Sequence, residues 1–537
     1  MTILGARSLA SGANDTGKHR LTHSTSPLQG IRFWIANALA ALSFIIFATA
    51  ALSLHQWRSI PFAVEQNGPF PVVLSHFLLG APPGLVDSGL RDFFWQGSRY
   101  ATADEALNRA VREAKATHDL APITDGNGIG GIIMVRTAFA LFGIHARALT
   151  YFFVLVLGVS TAAFIFRYQD KRIFAVPILF GASTALILTP ISSPEIAAQV
   201  PFGGIRSYAI VGILPALHWC FDLQIDVKAL RVGCTTRWIL LGAQICILGL
   251  AVLVRGSPAY LLGPVIVVSV CHLKKNWSRL GLRAMLWRLA LPAAALIVGL
   301  SSIAPLAFPE YALTGRAQSI VWHRVLISFG VHPAWPFAGL REMFPCREIP
   351  EGLVSSISDR NGHCVWWAFA HDHALSDAQV IQGLYDGEYE TAMRSAVMKI
   401  IREHPKQSAE TFLYFKPRKI INTLFDMLVV RNIAYPNWII ALTAIQIGIL
   451  ITFIAGWPRR ESPIDAMYAA CIISIFIAFG FAPQFVAWSF PYTVIDIVVY
   501  VLCAAIVLFW LIFAAAESVI ARLVQSRSRI ARPLNSE

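Results

Sequence analysis

The chain has 537 residues, of which 56% are hydrophobic and only 14% are charged, and its mean hydropathy is +0.59. This composition argues against a soluble globular protein and indicates a polytopic membrane protein. The formal net charge of +13 does not indicate a nucleic-acid partner, because much of the basic excess lies in short loops between apolar runs, where the positive-inside rule accounts for it.

The N-terminal residues 1–32 are polar and lack an apolar core followed by a small-residue cleavage site. We predict a disordered cytoplasmic tail there rather than a signal peptide. The apolar runs that follow approach the length of about 20 residues that a membrane helix needs. They predict an all-α polytopic membrane protein with about ten transmembrane helices, at Phe33–Leu54, Leu149–Phe166, Ile173–Ile191, Tyr208–Phe221, Trp238–Val254, Tyr260–Leu273, Leu289–Phe308, Trp438–Gly456, Met467–Trp488 and Tyr492–Ala516.

One further apolar run, Ile129–Ile144, resembles a membrane helix but is predicted not to cross. If it crossed, every later basic loop would lie on the wrong side of the membrane. Arg136 near its middle would also cost about 2.5–3.5 kcal/mol at the bilayer centre, whereas an interfacial helix lets this side chain reach the headgroups. If this run lies on the membrane surface instead, all the short basic loops fall on the same side of the membrane. Their basic residues are Arg167, Lys171, Arg172, Lys228, Arg231, Arg237, Lys274, Lys275, Arg279, Arg283, Arg288, Arg459 and Arg460.

The predicted organisation has two large periplasmic loops and two cytoplasmic termini. After the first transmembrane helix (33–54) comes a periplasmic loop with juxtamembrane helices (55–148), and then a transmembrane bundle (149–308). A second large periplasmic loop (309–437), C-terminal transmembrane helices (438–516) and a basic cytoplasmic tail (517–537) complete the chain. Loops of this size on a helical scaffold are where binding and catalytic residues are usually found.

The first outer loop is rich in acidic residues. A carboxylate near the membrane face could act as general base toward an acceptor hydroxyl, or could hold a divalent cation on a phosphate. The alternative is that these are solvated loop charges. The stretch 103–114 is predicted to be a helix, in whose first turn Asp104 and Glu105 suit the helix dipole without any catalysis. The candidate catalytic residues are Asp104, Glu105, Asp87, Asp92 and Asp125.

Candidate phosphate-binding residues occur in two other outer segments. Glu195, Arg206 and Tyr208 precede the fourth predicted crossing, where an arginine could grip a phosphate or could simply anchor the chain at the interface. The basic and aromatic segment 402–419 contains Lys416 and Arg418, and it could either bind an anionic lipid substrate or lie against headgroups.

Two of the eight cysteines share the second large loop, whereas the other six lie in or beside apolar runs. Cys346 and Cys364 are therefore a candidate disulfide, as expected in an oxidising periplasm.

Several of these motifs, in this order, resemble the polytopic C-type glycosyltransferases, nearest the branch of protein mannosyltransferases and lipid A aminoarabinose transferases. Asp104-Glu105-Ala106 opens a loop helix, Leu141-Phe142-Gly143 ends the interfacial helix, and Ala146-Arg147-Ala148 enters the second crossing. The basic turn 167–172 and Arg206 are also similar to the pattern of that family. The chain departs from it in having Asp125-Gly-Asn-Gly128 in place of a Pro-Pro pair, and in the length of chain before Asp104.

The resemblance implies an enzyme of the bacterial inner membrane that moves a sugar from a polyprenyl-phosphate carrier to a hydroxyl at the periplasmic face. The acceptor would be a lipid, a polysaccharide or a protein. Asp104 would be the general base, with Asp87, Asp92 and Asp125 as substitutes, while Arg206, Lys416 and Arg418 would hold the donor phosphate and Glu195 would assist as a second acid. The resemblance implies no particular cofactor, and a divalent cation remains an open alternative.

Three other functions remain open from the sequence. A polysaccharide polymerase or ligase would need basic rather than acidic residues as its essential set. A transporter or flippase would need several ionisable residues inside the crossings, where the sequence shows only His218 and Asp496. A non-catalytic envelope-assembly protein is the third.

Overall fold

The computed structural model describes residues 68–95, 101–122, 129–168, 208–224, 234–271, 274, 286–307, 321–333, 357–376, 380, 387–425, 471, 474 and 475. This part of the chain is predominantly helical. The predicted crossings Phe33–Leu54, Ile173–Ile191, Trp438–Gly456 and Tyr492–Ala516 lie outside it, as does most of Met467–Trp488.

The first loop folds into short helices around one pair of strands. Strands β1 and β2 pair antiparallel, with Val86 opposite Ala121. Three residues per strand are too few to show the alternation that identifies a strand from sequence, so this pair was not predicted. The elements of this region are α1 (Pro69–Leu79), β1 (Leu85–Asp87), α2 (Ser88–Trp95), α3 (Ala103–Glu113), β2 (Leu120–Pro122) and α4 (Ile129–Phe142).

Two helices of the described chain are long and apolar enough to cross a membrane. They are α5 (Arg147–Tyr168) and α7 (Cys234–Val254), which have 22 and 21 residues and coincide with two predicted crossings. Three predicted crossings correspond to shorter apolar helices, namely α6 (Ile213–Gln224, after a 3₁₀ turn at Ala209–Gly212), α8 (Pro258–Cys271) and α9 (Leu291–Ala307, after a π turn at Leu286–Ala290).

Helices α5, α6 and α7 pack into one bundle with a shared apolar core. Near mid-length, the Ser160 hydroxyl donates to the Gln244 side-chain oxygen at 2.8 Å, and the Gln244 amide donates to the Ser160 carbonyl at 2.7 Å. Small polar pairs of this kind join helices where no water is available to hydrogen-bond. At one end of the bundle, Asp222 of α6 accepts hydrogen bonds from Arg167 of α5 and Arg237 of α7.

Helix α4 lies across the other end of this bundle. Near its start, a Cβ on Gly130 would overlap the backbone of Leu253 and Val254, at the end of α7 far from Arg237. After its last residue, a four-residue turn leads directly to Arg147, at the end of α5 far from Arg167. Both ends of α4 therefore lie at the same end of the bundle. Its 14 residues span only about 21 Å, which is short of a hydrocarbon core of about 30 Å.

The second loop contains a separate helical cluster with its own apolar core, which includes Trp366, Tyr389 and Met393. The indole N–H of Trp366 donates to the Val380 carbonyl at 2.9 Å. The elements of this cluster are α10 (Val321–Ser328), α11 (Ile357–Asp372), α12 (Gly387–Glu403), α13 (Pro405–Glu410), a π turn (Thr411–Phe415) and α14 (Lys416–Phe425).

Candidate active site

The fold of the first loop brings Asp104 to the turn that enters α5. Asp104 lies in the first turn of α3, and its Oδ1 accepts the backbone N–H of Ala146 at 2.7 Å. The turn begins where α4 ends, at Gly143, whose φ of +93° favours glycine. Asp104 thereby joins the loop helix to the end of the bundle where α4 lies.

His145 fixes the shape of this turn. Its Nε2 lies 2.8 Å from the Phe142 carbonyl, and its Nδ1 lies 3.1 Å from the Ala148 backbone N–H. Both contacts are hydrogen bonds when the ring proton is on Nε2, because the backbone N–H then donates to an unprotonated Nδ1. The Tyr151 ring packs edge-on against His145 and Phe142.

Asp104 keeps an unused acceptor. Its Oδ2 has no hydrogen-bond partner among the residues that the structure describes, and the side chain is half-buried. A carboxylate with one oxygen fixed and the other open has a defined orientation and can still accept a proton. This is the arrangement that a general base requires.

Glu105 is occupied by the start of its own helix. The Thr102 hydroxyl accepts the Glu105 backbone N–H at 3.1 Å, and the Glu105 carboxylate accepts the Ala101 N–H at 3.1 Å. This reciprocal pattern closely resembles a capping box. Glu105 also lies 3.6 Å from Arg109, one turn further along. These contacts favour a structural role for Glu105.

Asp87 is saturated with hydrogen bonds. It is fully buried at the end of β1, and its two oxygens accept the backbone N–H groups of Gly89, Leu90, Thr117 and His118 at 2.7–3.2 Å. Burial acts to raise the pKa of Asp87, but these N–H groups outweigh it and hold the pKa below the usual 3.8. Asp87 joins the start of α2 to the segment before β2, and the geometry favours an anchoring role.

The remaining candidates of the first loop and the bundle entry either lack the fixed and open oxygens that Asp104 has or lie outside the described residues. Asp92 is exposed, and within the described residues its one ion pair is with its neighbour Arg91, at 3.4 Å. Asp125, Glu195 and Arg206 lie outside the described residues. Tyr208 is fully buried between Phe152 and Phe153, so its ring belongs to the core of the bundle.

In the second loop, Lys416 and Arg418 have contrasting environments. Lys416 is buried directly after the π turn, with its ammonium 4.6 Å from the Phe412 ring centre. Burial lowers the pKa of Lys416 from the usual 10.5 to about 7, because the buried site disfavours the charged ammonium. Arg418 is exposed and donates to the Tyr414 hydroxyl at 2.9 Å. Single-turn π segments are frequent at functional sites.

Cys364 forms a disulfide in the structure. Its partner lies among the residues whose side chains are not described, which include the predicted partner Cys346. Cys220, Cys246, Cys271 and Cys471, all in helices, are not disulfide-bonded.

The structure offers no ready-made metal centre in its described part. Within those residues, no group of three or more His, Cys, Asp or Glu side chains is arranged to hold an ion. The divalent cation that the sequence left open therefore stays a prediction.

Sequence reasoning missed the partner of Asp104 and the charged cluster inside the bundle. Arg167 and Arg237 were predicted to be ordinary basic residues of short inner loops, yet they are buried on Asp222. The one available signal was an acidic residue, Asp222, directly after an apolar run and between two arginines.

No protein-family model, curated protein or solved structure matches this chain.

Proposed function

We propose that this protein is a membrane glycosyltransferase that moves a sugar from a polyprenyl-phosphate carrier to an acceptor hydroxyl at the periplasmic face of a bacterial inner membrane. The observation that carries the proposal is the geometry of Asp104. One of its oxygens is fixed by Ala146 at the entry to α5, and the other is open beside the surface helix α4.

In the proposed reaction, Asp104 Oδ2 takes the proton of the acceptor hydroxyl as its oxygen forms a bond to the anomeric carbon. The bond between that carbon and the carrier phosphate breaks, and the carrier leaves as a phosphate anion. Proton removal by a placed carboxylate contributes about 10²–10⁴-fold to such a rate. Arg206, Lys416 and Arg418 are the proposed ligands of the donor phosphate, with Glu195 as an assisting acid.

The proposed topology has about ten transmembrane helices and cytoplasmic termini. Three features support it: α4 has both ends at one end of the bundle, Cys364 is oxidised in the second loop, and Arg324 of that loop is close enough to Tyr260 of α8 to interact with it electrostatically. Disulfides are typical of the periplasm. A transporter is not favoured, because the guanidinium groups of Arg167 and Arg237 are both held on the Asp222 carboxylate, at one end of the bundle rather than along a path through it.

The test is mass spectrometry of envelope glycolipids and polysaccharides from a strain that lacks the gene. Complementation with the wild type should restore a sugar-sized mass that the deletion removes, and Asp104→Asn should not. The matched control is Asp92→Asn, because Asp92 lies in the same loop but is exposed. The proposal fails if deletion removes no such mass. If Asp104→Asn restores the mass fully, a transferase remains but Asp104 is not its base.

A further inference from the structure

A buried charged cluster lies at the end of the bundle opposite Asp104. It consists of Arg167, Asp222 and Arg237, each exposed by no more than 4%. Nε and Nη2 of Arg167 donate to Asp222 at 3.2 and 2.7 Å, and Nε of Arg237 donates to both carboxylate oxygens at 3.0 Å, with Nη2 adding a further contact. Three helices meet at this one carboxylate.

The cluster has more positive than negative charge. Among the residues that the structure describes there, two guanidinium groups and one carboxylate leave a net charge of +1 in a largely apolar bundle. The Nη1 group of each arginine has no acceptor among the residues that the structure describes. An uncompensated buried charge is costly unless an ion of opposite charge or further hydrogen bonds offset it.

A second buried polar group stands beside the cluster. His218 is one helical turn before Asp222 in α6 and is fully buried, and within the described residues neither of its ring nitrogens has a hydrogen-bond partner. It is close enough to interact electrostatically with all three charged groups. Its ring packs against Tyr168, whose own ring lies under the Arg167 guanidinium.

We propose that Arg167 and Arg237 form a binding site for a phosphate anion at this end of the bundle, with their Nη1 groups as donors. Guanidinium groups suit phosphate because they combine charge with directed N–H donors. Basic sites between transmembrane helices at the cytoplasmic side recognise lipid headgroups, and the proposed topology makes this end cytoplasmic. The phosphate belongs either to an anionic phospholipid or to free inorganic phosphate. The site is independent of the proposed transferase activity.

The experiment uses the full-length chain purified in detergent and follows thermal unfolding by tryptophan fluorescence. Phosphatidylglycerol, phosphatidylcholine and inorganic phosphate are titrated separately. Phosphatidylglycerol should raise the unfolding temperature by about 2–3 °C at saturation, and phosphatidylcholine should not. A comparable rise with inorganic phosphate alone identifies free phosphate as a sufficient ligand, whereas its absence identifies the lipid headgroup. The site is refuted if neither anion stabilises the protein, or if phosphatidylcholine does so equally.

Variants assign the effect to this cluster rather than to other basic surfaces. Arg237→Gln should weaken the apparent affinity for the anion by at least about tenfold, whereas Arg147→Gln, at the exposed far end of α5, should leave it unchanged. If Arg237→Gln does not fold, Asp222→Asn still decides, because asparagine keeps an acceptor for the arginines and removes the competing charge. It should tighten anion binding about tenfold, whereas a purely structural cluster would leave the anion response unchanged.

Discussion

Asp87 and Asp104 belong to the same loop, yet their carboxylates are used in opposite ways. Asp87 accepts four backbone N–H groups and is fully buried, whereas Asp104 accepts one and keeps an oxygen open. Both residues lie at the start of a helix, so residue type and helical position do not separate them. What separates them is the number of backbone donors that the chain brings to each, and this decides which one can still accept a proton.

The largest expected effect is on activity, from Asp104→Asn. Asparagine keeps an oxygen that accepts the Ala146 N–H, so the turn should hold, while the proposed base is lost. We expect transfer to fall about 10²–10⁴-fold with an unchanged unfolding temperature, measured on the purified protein with a polyprenyl-phosphate sugar. Asp104→Ala should lower both activity and stability. Equal loss of stability in both variants would contradict this separation of roles.

The next effect is on stability, from Asp87→Ala. Removal of this buried carboxylate leaves four backbone N–H groups without their acceptor, one of them buried and three partly buried. Because a buried donor without a partner is costly, we expect a loss of about 3–5 kcal/mol in the free energy of unfolding. Denaturant titration measures it. Asp92→Ala is the control, and it should change stability little because Asp92 is exposed.

The same contrast predicts a dependence on pH. The folded state holds the pKa of Asp87 below its usual 3.8, because the N–H groups favour the charged form. Its contribution to stability is therefore present above the unfolded pKa and is lost as pH falls through the folded value. Unfolding temperatures measured from pH 6 to pH 3 should fall less steeply in Asp87→Asn than in the wild type. Parallel curves would argue that Asp87 does not set the acid sensitivity.

Sequence reasoning reached the parts of this molecule that local composition determines. The apolar runs predicted α5 and α7, and the helix predicted over 103–114 is α3 (Ala103–Glu113). It could not reach the contacts that depend on distant chain segments. The Asp104 carboxylate accepts a hydrogen bond from the Ala146 N–H, 42 residues away in the sequence. The Asp87 carboxylate accepts hydrogen bonds from Thr117 and His118, which folding also brings near. The ion pairs of Asp222 were not predicted for the same reason, because its two arginine partners come from different helices.

A smaller effect tests whether α4 is fixed against the bundle. Gly130 allows α4 to approach the backbone at the end of α7. Gly130→Val should force the two helices apart and lower stability by about 1–3 kcal/mol, as measured by thermal unfolding. Gly256→Val is the control, because a Cβ there meets no neighbouring atom within 4 Å. If both variants behave alike, the close approach of α4 does not matter.

The smallest effect concerns the N-cap of α3, the helix that carries Asp104. Thr102→Ala removes the hydroxyl that accepts the Glu105 N–H, which should cost about 1 kcal/mol of stability. Asp104 lies in the first turn of α3, directly after this cap. Fraying of that turn should also misplace its carboxylate relative to the acceptor hydroxyl, so the proposed sugar transfer should fall by a few-fold. Thr102→Ser keeps the hydroxyl and should restore both. A change in activity without any change in stability would place Thr102 in contact with substrate instead, since a cap acts on the carboxylate only through the fold of the helix.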